Sequence, residues 1–213
     1  MRLVLASNNA KKLSELRSLL SGLQLQLVPQ GELGIAEADE PHITFVENAL
    51  AKARHAAAAA LGPAIADDSG LCVDALAGQP GVVSAHYAGE LAAQAGENRE
   101  AQRRRQDAAN NSQLLQALSA HPDPGERSAY FLSTLVAVRH ANDPQPLVAV
   151  GRWHGRILMA PQGDQGFGYD PLMFIPELGL TVAELDANLK NQHSHRARAM
   201  AQMQALLRDV WNL

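Results

Sequence analysis

The sequence predicts an α/β fold built on a mixed sheet. Three observations predict it. Strand-like and helix-like segments alternate early in the chain, and a strand pair that reads as a hairpin follows later. The 213 residues are 46% hydrophobic and 19% charged, a balance that supports a packed core and excludes a disordered chain. Residues 1–213 are expected to form a single domain.

Residues 2–6 are a short apolar run that reads as a strand. Ser7-Asn8-Asn9-Ala10 can leave that strand, turn and cap a helix, in which Leu13, Leu16, Leu19 and Leu20 recur at helical spacing until Gly22. Residues 23–29 alternate Leu23, Leu25 and Leu27 with Gln24 and Gln26, the period of a strand. Residues 30–42 form an acidic loop with Glu32, Glu37, Asp39 and Glu40. Thr44, with Glu47 three residues on, is a capping-box pattern for a helix through residue 61. Residues 63–66 read as a brief strand ending at Asp67-Asp68-Ser69-Gly70, with residues 73–75 pairing nearby.

Residues 78–89 read as loop, residues 97–120 as a long polar-faced helix and residues 121–126 as a turn. Residues 128–139 and 147–155, joined through Asn142-Asp143-Pro144-Gln145-Pro146, read as the hairpin. A Gly-rich loop follows at 157–170, then a short strand at 172–175 and a terminal helix over 193–211. Much of the apolar count is alanine, including the run 56–60, which favours helices packed closely on something.

Composition excludes several classes. The single cysteine, Cys72, excludes an intrachain disulfide and a Cys-rich zinc site, and fits a reducing cytoplasm. The apolar run at the N-terminus is too short for a signal peptide, and no stretch approaches the roughly 20 apolar residues of a membrane span. A net charge of −4 argues against nucleic-acid binding through a global basic face but leaves a small anionic ligand open. The expectation is a cytoplasmic protein with neither nucleic-acid nor membrane partners.

Five segments can carry chemistry. Ser7-Asn8-Asn9-Ala10-Lys11-Lys12 lies at a strand-to-helix junction, where free N–H groups, Ser7, Asn9 and Lys12 can hold a phosphate; a capped helix start with solvated lysines fits the same residues. The adjacent acids Asp67 and Asp68 repel each other at the end of a buried strand and need a cation or donors. Mg²⁺ takes one or two carboxylates with phosphate oxygens and waters, and a carboxylate beside it can accept a proton from water. A simple Asp-Asp-Ser-Gly turn is the alternative. Asp39, Glu40 and Glu47 can complete a metal site or remain solvated.

Gly166-Phe167-Gly168-Tyr169-Asp170-Pro171 is a tight loop holding two of the nine aromatics, with Phe174 close behind, and aromatic faces stack on bases. Lys190, then Ser194-His195-Arg196, enters the last helix, where cations oppose the helix dipole and call for an anion or acceptor. Arg99, Arg103, Arg104 and Arg105 alternate with acids and read as a solvated face.

Together and in this order, these segments resemble the Ham1 family of inosine triphosphate pyrophosphatases, close to its bacterial branch. Ser7-Asn8-Asn9-Ala10-Lys11-Lys12 matches the family's Thr/Ser-x-Asn-x-x-Lys. Thr44-Phe45-Val46-Glu47-Asn48-Ala49 and Ala66-Asp67-Asp68-Ser69-Gly70-Leu71 match two further motifs. So do the segment from Pro80 to Tyr87, the loop from Gly166 to Pro171, and Lys190 with Ser194-His195-Arg196. Asn8 stands where the family usually has glycine.

The resemblance implies an elongated central mixed sheet flanked by helices, two lobes around a nucleotide-binding cleft, and a homodimer. It implies Mg²⁺-dependent hydrolysis of ITP, dITP and XTP to the monophosphate and pyrophosphate, which clears them from the nucleotide pool. By the same resemblance, Ser7, Asn8, Asn9, Ala10, Lys11, Lys12 and Lys190 hold phosphates, and Ser69 contacts substrate. Asp68 is the general base and a metal contact, and Asp39 or Glu40 supplies another metal ligand. Phe167, Gly168, Tyr169, Asp170, His195 and Arg196 form the base pocket.

The expected reaction is in-line attack of water on the α-phosphorus. Asp68 takes the proton, while Mg²⁺, Lys12 and Lys190 stabilise the leaving pyrophosphate. Donors from His195 and Arg196 to a 6-oxo group select against adenine, since a mismatch of this kind can discriminate by about 10⁴. Two rival readings stand beside it. One is a phosphatase with Asp67 as covalent nucleophile, which releases orthophosphate. The other is a catalytically silent nucleotide sensor.

Overall fold

The structure is a computed structural model. It describes residues 1–20 and 25–213, and of residues 10–12 the backbone. The expected helix stop at Gly22 and the start of the second strand at residues 23–24 lie outside the described residues.

In chain order the elements are β1 (Arg2–Leu5), α1 (Ala10–Leu20), β2 (Gln26–Pro29), α2 (Phe45–Ala60), β3 (Ala64–Val73) and α3 (Arg99–Ala117). There follow β4 (Ser128–Val138), β5 (Leu147–Ile157), β6 (Met173–Ile175), β7 (Leu180–Thr181), α4 (Ala187–His193) and α5 (His195–Trp211). The strands form one mixed sheet in the order β2-β1-β3-β4-β5-β6-β7. β1 runs parallel to β2 and to β3, while β6 is antiparallel to both β5 and β7. This is the α/β class expected from the alternation of segments, including the two long strands β4 and β5.

One expectation is corrected. The strand entered at residue 63 does not end at the acid pair: β3 runs through Asp67-Asp68-Ser69-Gly70 to Val73. Leu71, Cys72 and Val73 are buried and carry it on, and residues 74–76 form a 3-10 turn instead of a pairing strand. β7 and α4 add two short elements that no periodicity announced.

The chain divides into two compact units. The first comprises Met1–Ser69, Leu132–Arg152 and Asn191–Leu213. One of its cores gathers Leu3, Leu5, Leu16, Ile65 and Leu135 with Ala199, Met200, Met203 and Leu207 of α5. A second core sets Ala49, Ala53, Ala56 and Ala57 of α2 against Val4, Ala64, Ala66, Val136 and Val138. The part of α2 that packs on this core, Ala49, Ala53, Ala56 and Ala57, offers methyl groups, which lets the helix lie close on the strands. α2 starts at Thr44, whose hydroxyl accepts from the Glu47 N–H at 3.3 Å, the anticipated cap.

The second unit comprises Gly70–Phe131 and Trp153–Lys190. Its core joins Leu71, Val73, Leu114, Leu118, Trp153, Ile157, Tyr169 and Leu172. α3 begins at Arg99 because Asn98 caps it, accepting from the Ala101 N–H at 2.9 Å. Arg127 is fully buried here. Its guanidinium donates to the carbonyls of Leu118, His121, Ile157 and Leu158 at 2.9–3.1 Å, tying the end of α3 to the end of β5.

Candidate active site

In the first unit the site grows from the alternation of β3. Side chains along a strand point to opposite faces by turns. Ala64 and Ala66 pack against the α2 stripe, while Ile65 joins the core that contains α5. By the same parity Asp68 faces α2, and Asp67 and Ser69 face α5. The two adjacent acids are thereby parted, and each meets its own cation.

Asp68 Oδ1 accepts from Lys52 Nζ of α2 at 2.8 Å. Lys52 also donates to Glu40 Oε2 at 3.0 Å. Burial alone would lower the Lys52 pKa; the charges and hydrogen bonds of Asp68 and Glu40 outweigh it and hold the ammonium above its ordinary value. On the opposite face, Asp67 Oδ1 accepts from Ser133 Oγ at 2.7 Å, and Oδ2 accepts from Ser69 Oγ at 3.2 Å and Arg196 Nε at 3.3 Å. The Arg196 guanidinium also donates to Glu15 at 2.8 Å and to Ser69 Oγ at 2.9 Å. Burial opposes the Arg196 charge, and Asp67 and Glu15 more than compensate, raising its pKa. Asp67 is thus an anchored acid, whereas Asp68 shares its cation with a second carboxylate.

Glu40 reaches Lys52 because α2 grips the acidic loop. Asn48 is buried and takes both backbone groups of His42, accepting from its N–H at 2.9 Å and donating to its carbonyl at 3.1 Å. A His55 ring nitrogen lies 3.0 Å from the Ala36 carbonyl. Of the two acidic-loop candidates, Glu40 is the one brought to Lys52; Asp39 is exposed and makes no hydrogen bond or ion pair among the described residues.

At the β1–α1 junction, Ser7 Oγ accepts from the Asn9 N–H at 3.2 Å, forming the anticipated turn into a helix. The side chains of Ala10, Lys11 and Lys12 lie outside the described residues. Asn8 is not in the left-handed conformation that would favour a glycine: among the described non-glycine residues, positive φ occurs at Leu61, Ala77 and Asn212. The accommodation lies opposite, where a Cβ on Gly31 would come 2.7 Å from Asn8 Oδ1.

α5 opens at Ser194, whose Oγ accepts from the Ala197 N–H at 3.1 Å. His195 and Arg196, in its first turn, are buried and do not point into water. Gly151 of β5 makes this possible: a Cβ there would lie 2.0 Å from the His195 carbonyl oxygen and 2.5 Å from the Ala199 nitrogen.

The second unit holds the aromatic loop. Gly166 and Gly168 take positive φ, and a Cβ on Gly166 would strike the Asp170 carboxylate. Asp170 Oδ2 accepts from the Phe167 N–H at 2.9 Å and from Lys190 Nζ at 2.8 Å. That places the Lys190 ammonium 4.6 Å from the Phe167 ring centroid. The two aromatics differ in role. Phe167 is half-buried, while Tyr169 is a core residue that donates its hydroxyl to the Ser84 carbonyl at 2.8 Å. Burial, with the Tyr87 and Asp107 charges, pushes its phenol upward. Phe174 sits apart on β6 beneath the Arg156 guanidinium.

Lys52, Ser133 and Glu15 escaped the reading of the sequence. Lys52 left one trace: it occupies the buried alanine stripe between Ala49 and Ala53 and Ala56, where a charge requires a partner.

The profile of the Ham1 family matches residues 3–206. A dITP/XTP pyrophosphatase of Leptothrix cholodnii is 64% identical over 214 residues, covering 100% of each chain. One of Methylibium petroleiphilum is 65% identical over 211 residues, covering 99% of each. Among solved structures, a HAM1 protein from Coxiella burnetii superposes with a TM-score of 0.85 at 42% identity, over 97% of this chain and 98% of that one. A nucleoside-triphosphatase / dITP/XTP pyrophosphatase from Mycobacterium abscessus gives 0.70 at 38%, over 95% and 98%.

Proposed function

The chain belongs to the Ham1 family, and from that premise we propose that it hydrolyses non-canonical purine nucleoside triphosphates (dITP, XTP and ITP) to the monophosphate and pyrophosphate, removing them from the nucleotide pool. The observation that carries this reading is the parting of Asp67 and Asp68 onto separate cations. Asp67, fastened by Ser133, Ser69 and Arg196, is a framework acid. Its two oxygens are both engaged, which counts against its serving as a phosphatase nucleophile.

Asp68 is the general base. Lys52 fixes its carboxylate so that one oxygen is aimed and the other takes the proton of the attacking water. Glu40 and Asp68 converge on one ammonium with hard oxygen donors, which fits Mg²⁺ held by two carboxylates and substrate phosphates. Bound there, Mg²⁺ would supply charge stabilisation on the phosphate oxygens. The N–H groups at the start of α1, with Ser7, Asn8, Asn9 and Lys12, hold the phosphate chain, and Lys190 adds positive charge. Phe167 offers a ring face to the base, and His195 and Arg196 are donors for its 6-oxo group.

We further infer that the protein acts as a cytoplasmic homodimer. Its one cysteine is buried and forms no disulfide, and Val148 and Val150 leave apolar surface on β5. Among the described residues no helix is long and apolar enough to cross a membrane.

The test is a panel of nucleoside triphosphates with separate detection of pyrophosphate and orthophosphate, with and without Mg²⁺. Pyrophosphate from ITP, dITP and XTP, with ATP much slower, is the expected result. Orthophosphate as first product, or ATP turned over as fast as ITP, overturns it.

A further inference from the structure

Asp107 and Asn111 stand four residues apart on α3 and so share one face of the helix. Between them they take both backbone groups of a single loop residue. Asp107 Oδ2 accepts from the Gly168 N–H at 2.9 Å, and Asn111 Nδ2 donates to the Gly168 carbonyl at 3.0 Å. Gly168 is in the left-handed conformation, so its peptide groups are turned in a way the loop itself cannot satisfy. On one side of it the Phe167 N–H is held by Asp170; on the other the Tyr169 hydroxyl is held by Ser84. Three backbone groups around Phe167 and the neighbouring Tyr169 side chain are thus held in place while the Phe167 ring stays half-exposed.

The orientation of the Asn111 amide follows from its partner. Only the nitrogen can face the Gly168 carbonyl, and the Asn111 Oδ1 is buried with no hydrogen-bond partner among the described residues. Asn110, the next residue back, is engaged through both amide atoms with Ser84, Ala85, Ala88 and Gln106. Leaving an amide oxygen buried and unmet costs stability. An apolar residue would avoid that cost but leave the Gly168 carbonyl without its donor, so the Gly168 contact is what this asparagine supplies.

The geometry points to Asp107 and Asn111 as a positioning pair that fixes the Phe167 ring for the purine base. They would set affinity for the base and leave the hydrolytic step alone. This rests on the pyrophosphatase reading above and names part of its selectivity.

Chemistry separates the variants. Asp107→Asn keeps an oxygen acceptor for the Gly168 N–H, whereas Asp107→Ala removes it. Asn111→Asp is isosteric but turns a donor into an acceptor facing a carbonyl. The readouts are KM and kcat for ITP, and inhibition by IMP, which carries the base, against inhibition by inorganic pyrophosphate, which does not. Asp107→Ala and Asn111→Asp should each raise KM for ITP and Ki for IMP about tenfold, the loss expected for one such hydrogen bond. The expected kcat and pyrophosphate Ki stay within about twofold of wild type, as does every constant of Asp107→Asn. Equal shifts in both inhibitors, a fall in kcat alone, or no change in Asn111→Asp overturns the pair's role. If wild-type protein yields no pyrophosphate from any purine triphosphate, the underlying reading fails first, and the proposal falls with it for that separate reason.

Discussion

Lys52 Nζ lies 2.8 Å from Asp68 Oδ1, across a separation of 16 residues and from helix to strand. The same ammonium reaches Glu40 at 3.0 Å, so one buried cation organises two carboxylates from two segments. Truncating it would leave those acids facing each other without compensation.

Lys52→Met should therefore lower kcat for ITP by about 10² or more, and Lys52→Arg should recover part of that loss. Asp68→Asn should cost about 10³ while nucleotide binding persists. Steady-state kinetics with calorimetric binding checks both. A Lys52→Met enzyme within threefold of wild type contradicts the role given to this residue.

At the β4–β5 turn, Asp143 is fully buried and accepts four hydrogen bonds, from the Arg139 backbone and guanidinium and from the Gln145 N–H, at 2.7–3.0 Å. The Arg139 side chain, against the opposing effect of burial, holds the carboxyl far below its usual range. A carboxyl depressed in the folded state stabilises above its unfolded pKa, and that stabilisation is lost as pH falls toward the folded one. Asp143→Asn should cost about 2 kcal/mol at pH 7, and the gap should shrink steadily below pH ~4. Denaturant melts across pH test this. A gap that widens in acid reverses the sign.

Leu61 closes α2 in the left-handed conformation with φ 49° and is 93% exposed. It pays the steric cost of that conformation and buries almost nothing in return. Leu61→Gly should stabilise the protein by about 0.5–1 kcal/mol, and Leu61→Val should destabilise it. Unfolding midpoints for the pair decide the matter.

Gly151→Ala would drive a methyl into the backbone of α5 at His195 and Ala199. An overpacking cost of about 1–3 kcal/mol is expected, together with reduced ITP hydrolysis as His195 and Arg196 shift. If melting drops but kcat/KM holds, α5 is placed by other contacts.

Much of the fold was legible because its signals are local. Thr44 and Ser194 cap helices where their side chains can reach the next free N–H groups, and the strand pair β4–β5 follows the apolar runs on either side of a Pro-rich turn. β3 runs past the acid pair for a physical reason. Asp-Asp-Ser-Gly has the composition of a turn, and what keeps it extended is neutralisation by Lys52 and Arg196, which come from distant segments. The same distance hid Lys52 itself, whose partners lie 12 and 16 residues away. Short α4 carries too few residues for a period to emerge. Phe167 stood out because aromatics are scarce, yet nothing in its motif revealed that Tyr169 would turn inward to Ser84.

The tandem acids leave β3 with a problem of alignment. A slip of one residue flips every side chain to the opposite face. Here such a slip would still offer a carboxylate to each cation, Asp67 to Lys52 and Asp68 to Arg196. Charge cannot tell the right threading from the wrong one. Size can: Ala64 and Ala66 nest on the methyl stripe of α2, and a slip would push Ile65 into that space. Which aspartate turns to Lys52 is thus guarded three residues upstream of Asp68 by the bulk of a single isoleucine, and enlarging Ala66 would blur which of the two acids that cation receives.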